Sequence, residues 1–214
     1  MATFLVIGLG RFGSSLALRL MELGHEVMVV DRDEETVEEI APLVTQAKIA
    51  DCMDEVALRS LGVESFDVCF VCTSEQFQSS MEITSLLKEF GAPFVVAKAE
   101  RDLHARLLLK IGADEVVFPE RDMAQRTAMR YSVNGALEYI ELSEGFAIFE
   151  LEAPESWEGK SLAQLDIRSR CHVNVIGIKK DGIVRPVSAD RPLHTGEHIL
   201  VAGENRDVMC MLGN

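Results

Sequence analysis

Short apolar runs alternate with amphipathic segments over the first 118 residues of the chain. The amphipathic segments have helical spacing, and Gly62, Gly91 and Gly112 close three of them. Strands that alternate with helices predict an α/β fold, with a Rossmann-like, doubly wound parallel sheet and right-handed crossovers. The predicted strands cover residues 4–7, 27–30, 45–50, 67–73, 94–99 and 114–118.

The segment after the sixth predicted strand is amphipathic and opens with Pro119. It predicts a last helix over residues 119–142, in which Met123, Thr127 and Tyr131 recur at four-residue spacing. The sheet of its own domain is already covered by the preceding helices. We therefore predict that this stripe packs on a second subunit.

The hydrophobic pattern changes near Ile140, where short apolar runs separated by turn signals replace the longer alternation. These runs predict a small α+β domain at the end of the chain. The sequence thus predicts two domains, residues 1–140 and residues 141–214, with residues 142–145 as the join.

The turn after the first predicted strand has glycines in GxGxxG spacing, at Gly8, Gly10 and Gly13. In a nucleotide-binding βαβ unit the first glycine permits the tight turn and the second lets the backbone approach a diphosphate. The third lets the helix pack close to the sheet. Asp31 ends the second predicted strand, where an acidic residue accepts hydrogen bonds from ribose hydroxyls. The order of these features predicts a nucleotide site.

Arg11 and Phe12 lie inside the glycine turn itself. Backbone amides already serve a dinucleotide's diphosphate, so the added guanidinium of Arg11 favours a ligand with more phosphate charge. The alternative is an exposed arginine at a helix start, where it meets the helix dipole unfavourably.

Polar residues recur at the carboxyl ends of the other predicted strands, namely Asp51, Thr73, Ser74 and Lys98. The ends of parallel strands meet at one edge of a sheet, which is where ligands bind in such folds. Glu120 follows the last strand at the same edge. A carboxylate there fits a cation bridging to phosphates, or equally a residue that simply complements a helix N-terminus.

Composition excludes several other classes of function. The chain of 214 residues has a formal net charge of −14, which argues against nucleic acid as a partner. No apolar run approaches a membrane span, and the N-terminus lacks a signal-peptide pattern, so we expect a cytoplasmic protein. Cys69 and Cys72 lie three apart on a strand, where they face opposite sides and are expected to be buried thiols. His194 and His198 are expected to be satisfied or exposed rather than to bind metal.

Several segments resemble the regulatory protein of Ktr/Trk-type bacterial potassium uptake systems, above all VIGLGRFGSSLA, KIADCMDEVALRSLG, IGADEVVFPERDM and PLHTGEHILVAGENRDV. The resemblance covers essentially the whole chain and implies an RCK N-terminal (KTN) domain followed by an RCK C-terminal domain. It implies a non-enzymatic subunit that gates a membrane-embedded potassium translocator from the inner face of the cell membrane. It also implies a homo-oligomer, with dimers assembled into an octameric ring.

The resemblance further implies adenine nucleotides as ligands, with ATP favouring activity and ADP or NAD(H) competing. Arg11 would meet the terminal phosphate and Asp31 the ribose, while Asp51 and Cys52 would lie by the adenine and Lys98 near the phosphates. Taken together with the Rossmann pattern and the strand ends, the predicted nucleotide contacts are Gly8, Gly10, Arg11, Phe12, Gly13, Asp31, Arg32, Asp51, Cys52, Thr73, Ser74 and Lys98.

Two further ligands follow from the resemblance. Glu120 would hold a divalent cation or Na⁺ at the nucleotide phosphates. In some relatives the C-terminal domain binds cyclic di-AMP, and Ile167, Arg168 and Asn174 fall in the matching segment.

The bare Rossmann pattern also fits an NAD(P)-dependent oxidoreductase, in which Arg32 would pair with a 2′-phosphate. Such an enzyme needs a substrate domain with an acid or base near the nicotinamide. The segment after residue 140 is short for that purpose, and Arg11 does not suit an ordinary dehydrogenase. The sequence therefore favours a regulator over an enzyme.

Overall fold

The computed structural model describes residues 1–73, 77–133 and 135–212. The chain divides into two compact units, Met1–Arg121 and Asp122–Asn214. None of the helices within the described ranges combines the length and the apolar character needed to cross a bilayer.

The first unit is built on a parallel sheet whose six strands, among the described residues, have the order β3-β2-β1-β4-β5-β6. The order reverses between β1 and β4, which leaves a crevice at the carboxyl ends of these two strands. This architecture confirms the predicted doubly wound α/β fold. Its strands are β1 (Thr3–Ile7), β2 (Glu26–Asp31), β3 (Gln46–Ile49), β4 (Val68–Val71), β5 (Val95–Lys98) and β6 (Glu115–Val117).

Helices connect these strands and cover both faces of the sheet, because the strands are apolar on both sides. They are α1 (Arg11–Glu22), α2 (Glu34–Ile40), α3 (Glu55–Arg59), α4 (Phe77–Glu89) and α5 (Asp102–Lys110), with short 3₁₀ turns at Ala41–Leu43 and Val63–Ser65. A further helix, α6 (Pro119–Ser132), follows β6.

The two faces of the sheet bury separate apolar clusters. Leu5, Cys69 and Leu87 belong to one cluster, and Val6 and Cys72 belong to the other. Cys69 and Cys72 thus face opposite sides of β4, as their spacing predicts. Burial raises the pKa of each thiol to about 12, so both stay protonated and inert near neutral pH.

The predicted helix over residues 119–142 is too long. Helix α6 ends at Ser132, and Ala136–Ser143 forms a strand, β7. Gly135 adopts a φ of +81°, which an ordinary helix does not tolerate, and it allows the chain to turn between the two elements. Beyond that turn the segment buries Tyr139 in the core of the second unit. Packing against a sheet therefore overrides the helical spacing.

The division between the two units also differs from the sequence-based boundary. It falls after Arg121, inside α6, whereas the sequence-based boundary at 140/141 lies within β7. The segment 142–145, predicted as the join, instead lies in a hairpin: residues 142–143 end β7, and residues 144–145 form the turn into the next strand, β8 (Phe146–Glu152).

The second unit contains an antiparallel sheet of five strands in its described residues, in the order β10-β9-β11-β8-β7. Its core is centred on Tyr139, Phe149 and Val201, with the rings of Tyr139 and Phe149 in edge contact at 5.1 Å. The remaining elements are β8 (Phe146–Glu152), a 3₁₀ turn (Glu155–Trp157), α7 (Leu162–Leu165), α8 (Ile167–Cys171), β9 (Asn174–Lys180), β10 (Ile183–Arg185), β11 (His198–Glu204) and α9 (Asn205–Leu212).

Candidate nucleotide-binding site

The glycine turn joins the end of β1 to the start of α1. Gly8 has a φ of +95°, and a Cβ added there would lie 2.8 Å from the backbone nitrogen of Thr73. A Cβ on Gly13 would lie 2.0 Å from the backbone oxygen of Gly8, so the first turn of α1 packs directly on the glycine turn. A Cβ on Gly10 would meet no described atom within 4 Å outside its chain neighbours. The space above Gly10 is therefore open to a ligand.

A cavity of about 390 Å³ lies at the carboxyl ends of β1, β2 and β4. This volume falls within the range of small-molecule sites in proteins. The residues that line it are Ile7, Gly8, Leu9, Gly10, Val30, Asp31, Arg32, Asp33, Thr36, Ala50, Asp51, Cys52, Met53, Cys72, Thr73, Ser79 and Ile83.

Seven of the residues predicted from the sequence contribute to this lining. Ser74, also predicted here, lies outside the described residues. The other described residues predicted at the site lie beyond the lining; they are Arg11, Phe12, Gly13, Lys98 and Glu120.

Helix α1 begins directly after Gly10, which lines the cavity. Gly10 is the N-cap residue, and within the described chain no side chain caps it; Ser14 N donates the first helical hydrogen bond to Gly10 O at 3.0 Å. The amides before Ser14 thus have no partner within the helix. Arg11 is exposed at the first helical position, and Phe12 packs sideways against an apolar cluster. The arrangement presents amide donors and one cation, both of which suit an anion.

Asp31 ends β2 and faces the glycine turn. Its Oδ2 accepts a hydrogen bond from Leu9 N at 2.6 Å, and its Oδ1 accepts one from Asp33 N at 3.0 Å. Each carboxylate oxygen retains a second lone pair. The geometry therefore leaves room for ribose hydroxyls in addition to the two backbone amides.

Asp51 and Cys52 follow β3 in the chain and form one wall of the cavity. Asp51 Oδ1 accepts a hydrogen bond from Met53 N at 2.9 Å, which shapes the turn after the strand. Cys52 is buried, and burial, followed by the charges of Asp51 and Asp31, raises its pKa to about 12. The thiol is thus a neutral, apolar element of the wall.

Thr73 supplies a polar atom that lacks a partner. Among the described residues its Oγ1 is buried and makes no hydrogen bond, although Thr73 lines the cavity and packs against Gly8. A buried hydroxyl without a partner costs free energy that a bound ligand can recover. Together with the open space at Gly10, this atom shows that the residues present fit a nucleotide.

Lys98 and Glu120 contact each other at the end of β5. Lys98 Nζ donates to Glu120 Oε1 at 2.6 Å, with the lysine side chain buried and the glutamate largely exposed. The hydrogen bond from Lys98 lowers the pKa of Glu120. The two residues thus form an ion pair with each other. The contacts predicted for Lys98 with phosphate and for Glu120 with a cation remain predictions.

The remaining candidates for metal or ligand binding lie in the second unit. His194 Nδ1 lies 3.0 Å from Glu158 and His198 Nδ1 lies 2.8 Å from Glu150, so each histidine has its own carboxylate partner. Within the described ranges no cluster of three or more His, Cys, Asp or Glu residues could hold a metal ion. Of the residues predicted at a cyclic di-AMP site, Ile167 is buried, while Arg168 and Asn174 are exposed.

Several lining residues carried no prediction. Asp33 and Thr36 had a readable signal, because an aspartate before a helical segment with Thr three residues later is typical of an N-cap. Met53 and Ser79 had none. They come together only in the fold, where Ser79 Oγ lies 3.2 Å from Met53 Sδ.

Comparison with known proteins identifies the family of the chain. The TrkA-N domain model matches residues 4–119 and the TrkA-C domain model matches residues 146–210. The chain is 42% identical over 207 residues to Ktr system potassium uptake protein C of Bacillus subtilis, covering 96% of this chain and 93% of that protein. It is 34% identical over 201 residues to Ktr system potassium uptake protein A of Vibrio alginolyticus, covering 94% and 91%.

Among solved structures, the RCK domain of GsuK superposes with a TM-score of 0.69 at 19% identity. The match covers 98% of this chain but only 46% of the GsuK chain, so this chain spans less than half of that protein. At this identity the likeness concerns the fold.

The fold defines a protein with a Rossmann-type α/β domain, which carries the cavity, followed by a small domain with an antiparallel sheet. The matches to the two domain models, and to relatives over nearly their full length, identify the family more narrowly than the fold does. The chain belongs to the TrkA-type family of Ktr and Trk potassium uptake proteins. This membership confirms the recognition made from the sequence motifs.

Proposed function

We propose that this protein is the nucleotide-sensing regulatory subunit of a Ktr-type potassium uptake system, and that ATP favours the conducting state while ADP or NAD(H) competes. The observation that carries the proposal is the glycine turn, which opens onto a cavity flanked by Asp31, in a chain similar to Ktr proteins over nearly its full length. The GsuK channel, which shares the fold, has been solved bound to NAD and bound to ADP.

The proposed partner is a membrane-embedded potassium translocator, contacted at the inner face of the cell membrane. The proposed assembly is a ring of dimers, eight chains in all. Exposed apolar side chains on α6 support an assembly of this kind, since Met123 is 57% and Tyr131 78% exposed. Apolar side chains along one helix are typical of a surface that packs on another subunit.

The proposed switch depends on the terminal phosphate. A ligand shifts a two-state assembly only through its differential affinity for the two states. ATP and ADP share adenine, ribose and the inner phosphates, so groups that contact the terminal phosphate must account for any difference. Arg11 is the proposed direct partner, and Glu120 would act through a bridging divalent cation or Na⁺. A cyclic di-AMP site in the second domain remains a prediction.

Calorimetric titration of ATP and ADP into wild type and Arg11→Ala tests the proposal, with and without magnesium. Charge-assisted hydrogen bonds contribute roughly 1.5–3 kcal/mol. Arg11→Ala should therefore reduce the preference for ATP over ADP by about ten- to a hundredfold.

Arg19→Ala is the matched control, because Arg19 lies on the same helix and is paired with Glu22 instead of facing the site. It should leave both affinities unchanged. Equal weakening of ATP and ADP by Arg11→Ala would contradict the proposed switch, since the arginine would then be a general phosphate anchor.

A further inference from the structure

The carboxylate of Asp31 connects two turns that border the cavity. One is the glycine turn after β1, through Leu9 N, and the other is the turn after β2, through Asp33 N. Asp33 then accepts a hydrogen bond from Thr36 N at 2.8 Å and so begins helix α2. One side chain therefore fixes backbone on both sides of the site.

The bond to Leu9 N adds to two other hydrogen bonds of the glycine turn, in which Gly8 N donates to Val30 O at 2.9 Å and Ser14 Oγ donates to Leu9 O at 2.8 Å. Leu9 lies between Gly8 and Gly10, and glycines have the most backbone freedom of any residue. The side chain of Leu9 is only 5% exposed, which holds its own position. The amide of Leu9 donates its hydrogen bond to Asp31. The carboxylate therefore holds the middle of the turn, next to the open space above Gly10.

This contact predicts an effect that ribose recognition does not. If Asp31 acted only on ribose hydroxyls, its charge would repel the phosphates, and its loss would strengthen any ligand that lacks those hydroxyls. If Asp31 also holds the turn, its loss weakens such a ligand. The two roles therefore differ in the sign of the effect.

We propose that Asp31 is a positioning residue for the phosphate-binding turn, in addition to its role toward ribose. The proposal rests on the proposed function, since it assumes that the turn receives nucleotide phosphates. Asp31→Asn is the informative variant, because the amide keeps the shape and one acceptor oxygen but cannot accept from both backbone amides.

The test has two arms on the full chain. The first compares the binding of ADP and 2′,3′-dideoxy-ADP to wild type and Asp31→Asn by calorimetry. We expect Asp31→Asn to weaken dideoxy-ADP by about tenfold, because the turn loses a charge-assisted hydrogen bond. Unchanged or stronger binding of dideoxy-ADP would overturn the proposal.

The second arm measures hydrogen exchange at the Leu9 amide without ligand. Exchange should accelerate in Asp31→Ala, which offers Leu9 N no acceptor, and stay at the wild-type rate in Asp51→Ala, since the carboxylate of Asp51 accepts from Met53 N instead. Unchanged exchange in Asp31→Ala would overturn the proposal by itself. If wild type bound neither nucleotide, the proposed function would fail, while the exchange arm would still decide the role of Asp31.

Discussion

Helices α1 and α2 start at the same edge of the sheet, after the adjacent strands β1 and β2, yet their N-termini differ. Helix α2 is capped by Asp33, which accepts from Thr36 N, and has Glu34 and Glu35 in its first turn. Helix α1 starts at Gly10, has no acidic residue in its first turn, and has no side-chain cap among the described residues. Helix α2 therefore has carboxylates in its own cap and first turn, whereas helix α1 has none there.

The difference leaves the start of α1, but not that of α2, open to an anion. A helix N-terminus presents unpaired amides and a positive partial charge, which a capping carboxylate normally satisfies. Helix α3 follows the same rule as α2, with Asp54 accepting from Val56 N. The amides at α1 remain for a ligand beside a cavity and an arginine. If α1 receives nucleotide phosphates as proposed, the missing cap in its first turn is what leaves its amides available to them.

The largest expected effect comes from disrupting the close packing between the first turn of α1 and the glycine turn. Gly13→Ala places a Cβ where the backbone oxygen of Gly8 now lies, and backbone cannot yield cheaply. We expect the free energy of unfolding to fall by about 3 kcal/mol or more, measured by urea denaturation. Gly10→Ala is the matched control, since its Cβ enters open space, and it should cost less than about 1 kcal/mol. Equal costs for the two variants would refute this packing arrangement.

A smaller effect is expected from removing the cap of α2. Asp33→Ala leaves the amide of Thr36 without its partner, so the melting temperature should fall by a few degrees. Asp54→Ala removes the equivalent cap of α3, outside the cavity lining, and should lower the melting temperature similarly without changing ADP affinity. A melting temperature that does not change in either variant would show that capping does not distinguish these helices from α1.

The smallest effect is the acid sensitivity of the α2 cap. Hydrogen bonds from the Thr36 side chain and backbone lower the pKa of Asp33 in the folded protein. A lowered carboxyl pKa stabilises the fold above the unfolded value of about 3.9, and this contribution is lost as the pH falls through the folded pKa.

Asp33→Asn caps the helix but cannot titrate there. Its melting temperature should therefore fall less than that of wild type between about pH 5 and pH 3. Parallel curves for the two proteins would show that the Asp33 cap does not contribute to acid unfolding.

Sequence patterns predicted most of the first unit because its signals are local. Apolar runs specify buried parallel strands, and the spacing of Gly8, Gly10 and Gly13 specifies the turn without reference to the rest of the chain. The prediction was wrong for residues 136–142, because their apolar positions fit both helical and strand spacing. Only the partner strand β8 and the core around Phe149 decide between the two.

The site itself was less predictable than the sheet. Strand-end position correctly suggested which side chains share one edge, but it could not show which of them contact each other. Lys98 pairs with Glu120 across 22 positions of sequence, and Asp31 reaches Leu9 across the same separation. Such contacts depend on side-chain direction and on the relative height of neighbouring strands, which no local pattern encodes.

The central claim is that the uncapped start of α1 receives nucleotide phosphates, and Gly10→Asp tests it most directly. Gly10 has the extended backbone of an N-cap, with φ of −64° and ψ of 179°, so an aspartate there can cap α1 as Asp33 caps α2. The measurement is calorimetric titration of ADP into wild type and Gly10→Asp, with melting temperatures recorded for both. We predict that the variant melts no lower than wild type and binds ADP at least about a hundredfold more weakly, because the new carboxylate occupies the amides and repels the phosphates. Equal ADP affinity in the two proteins, with both folded, would contradict the account.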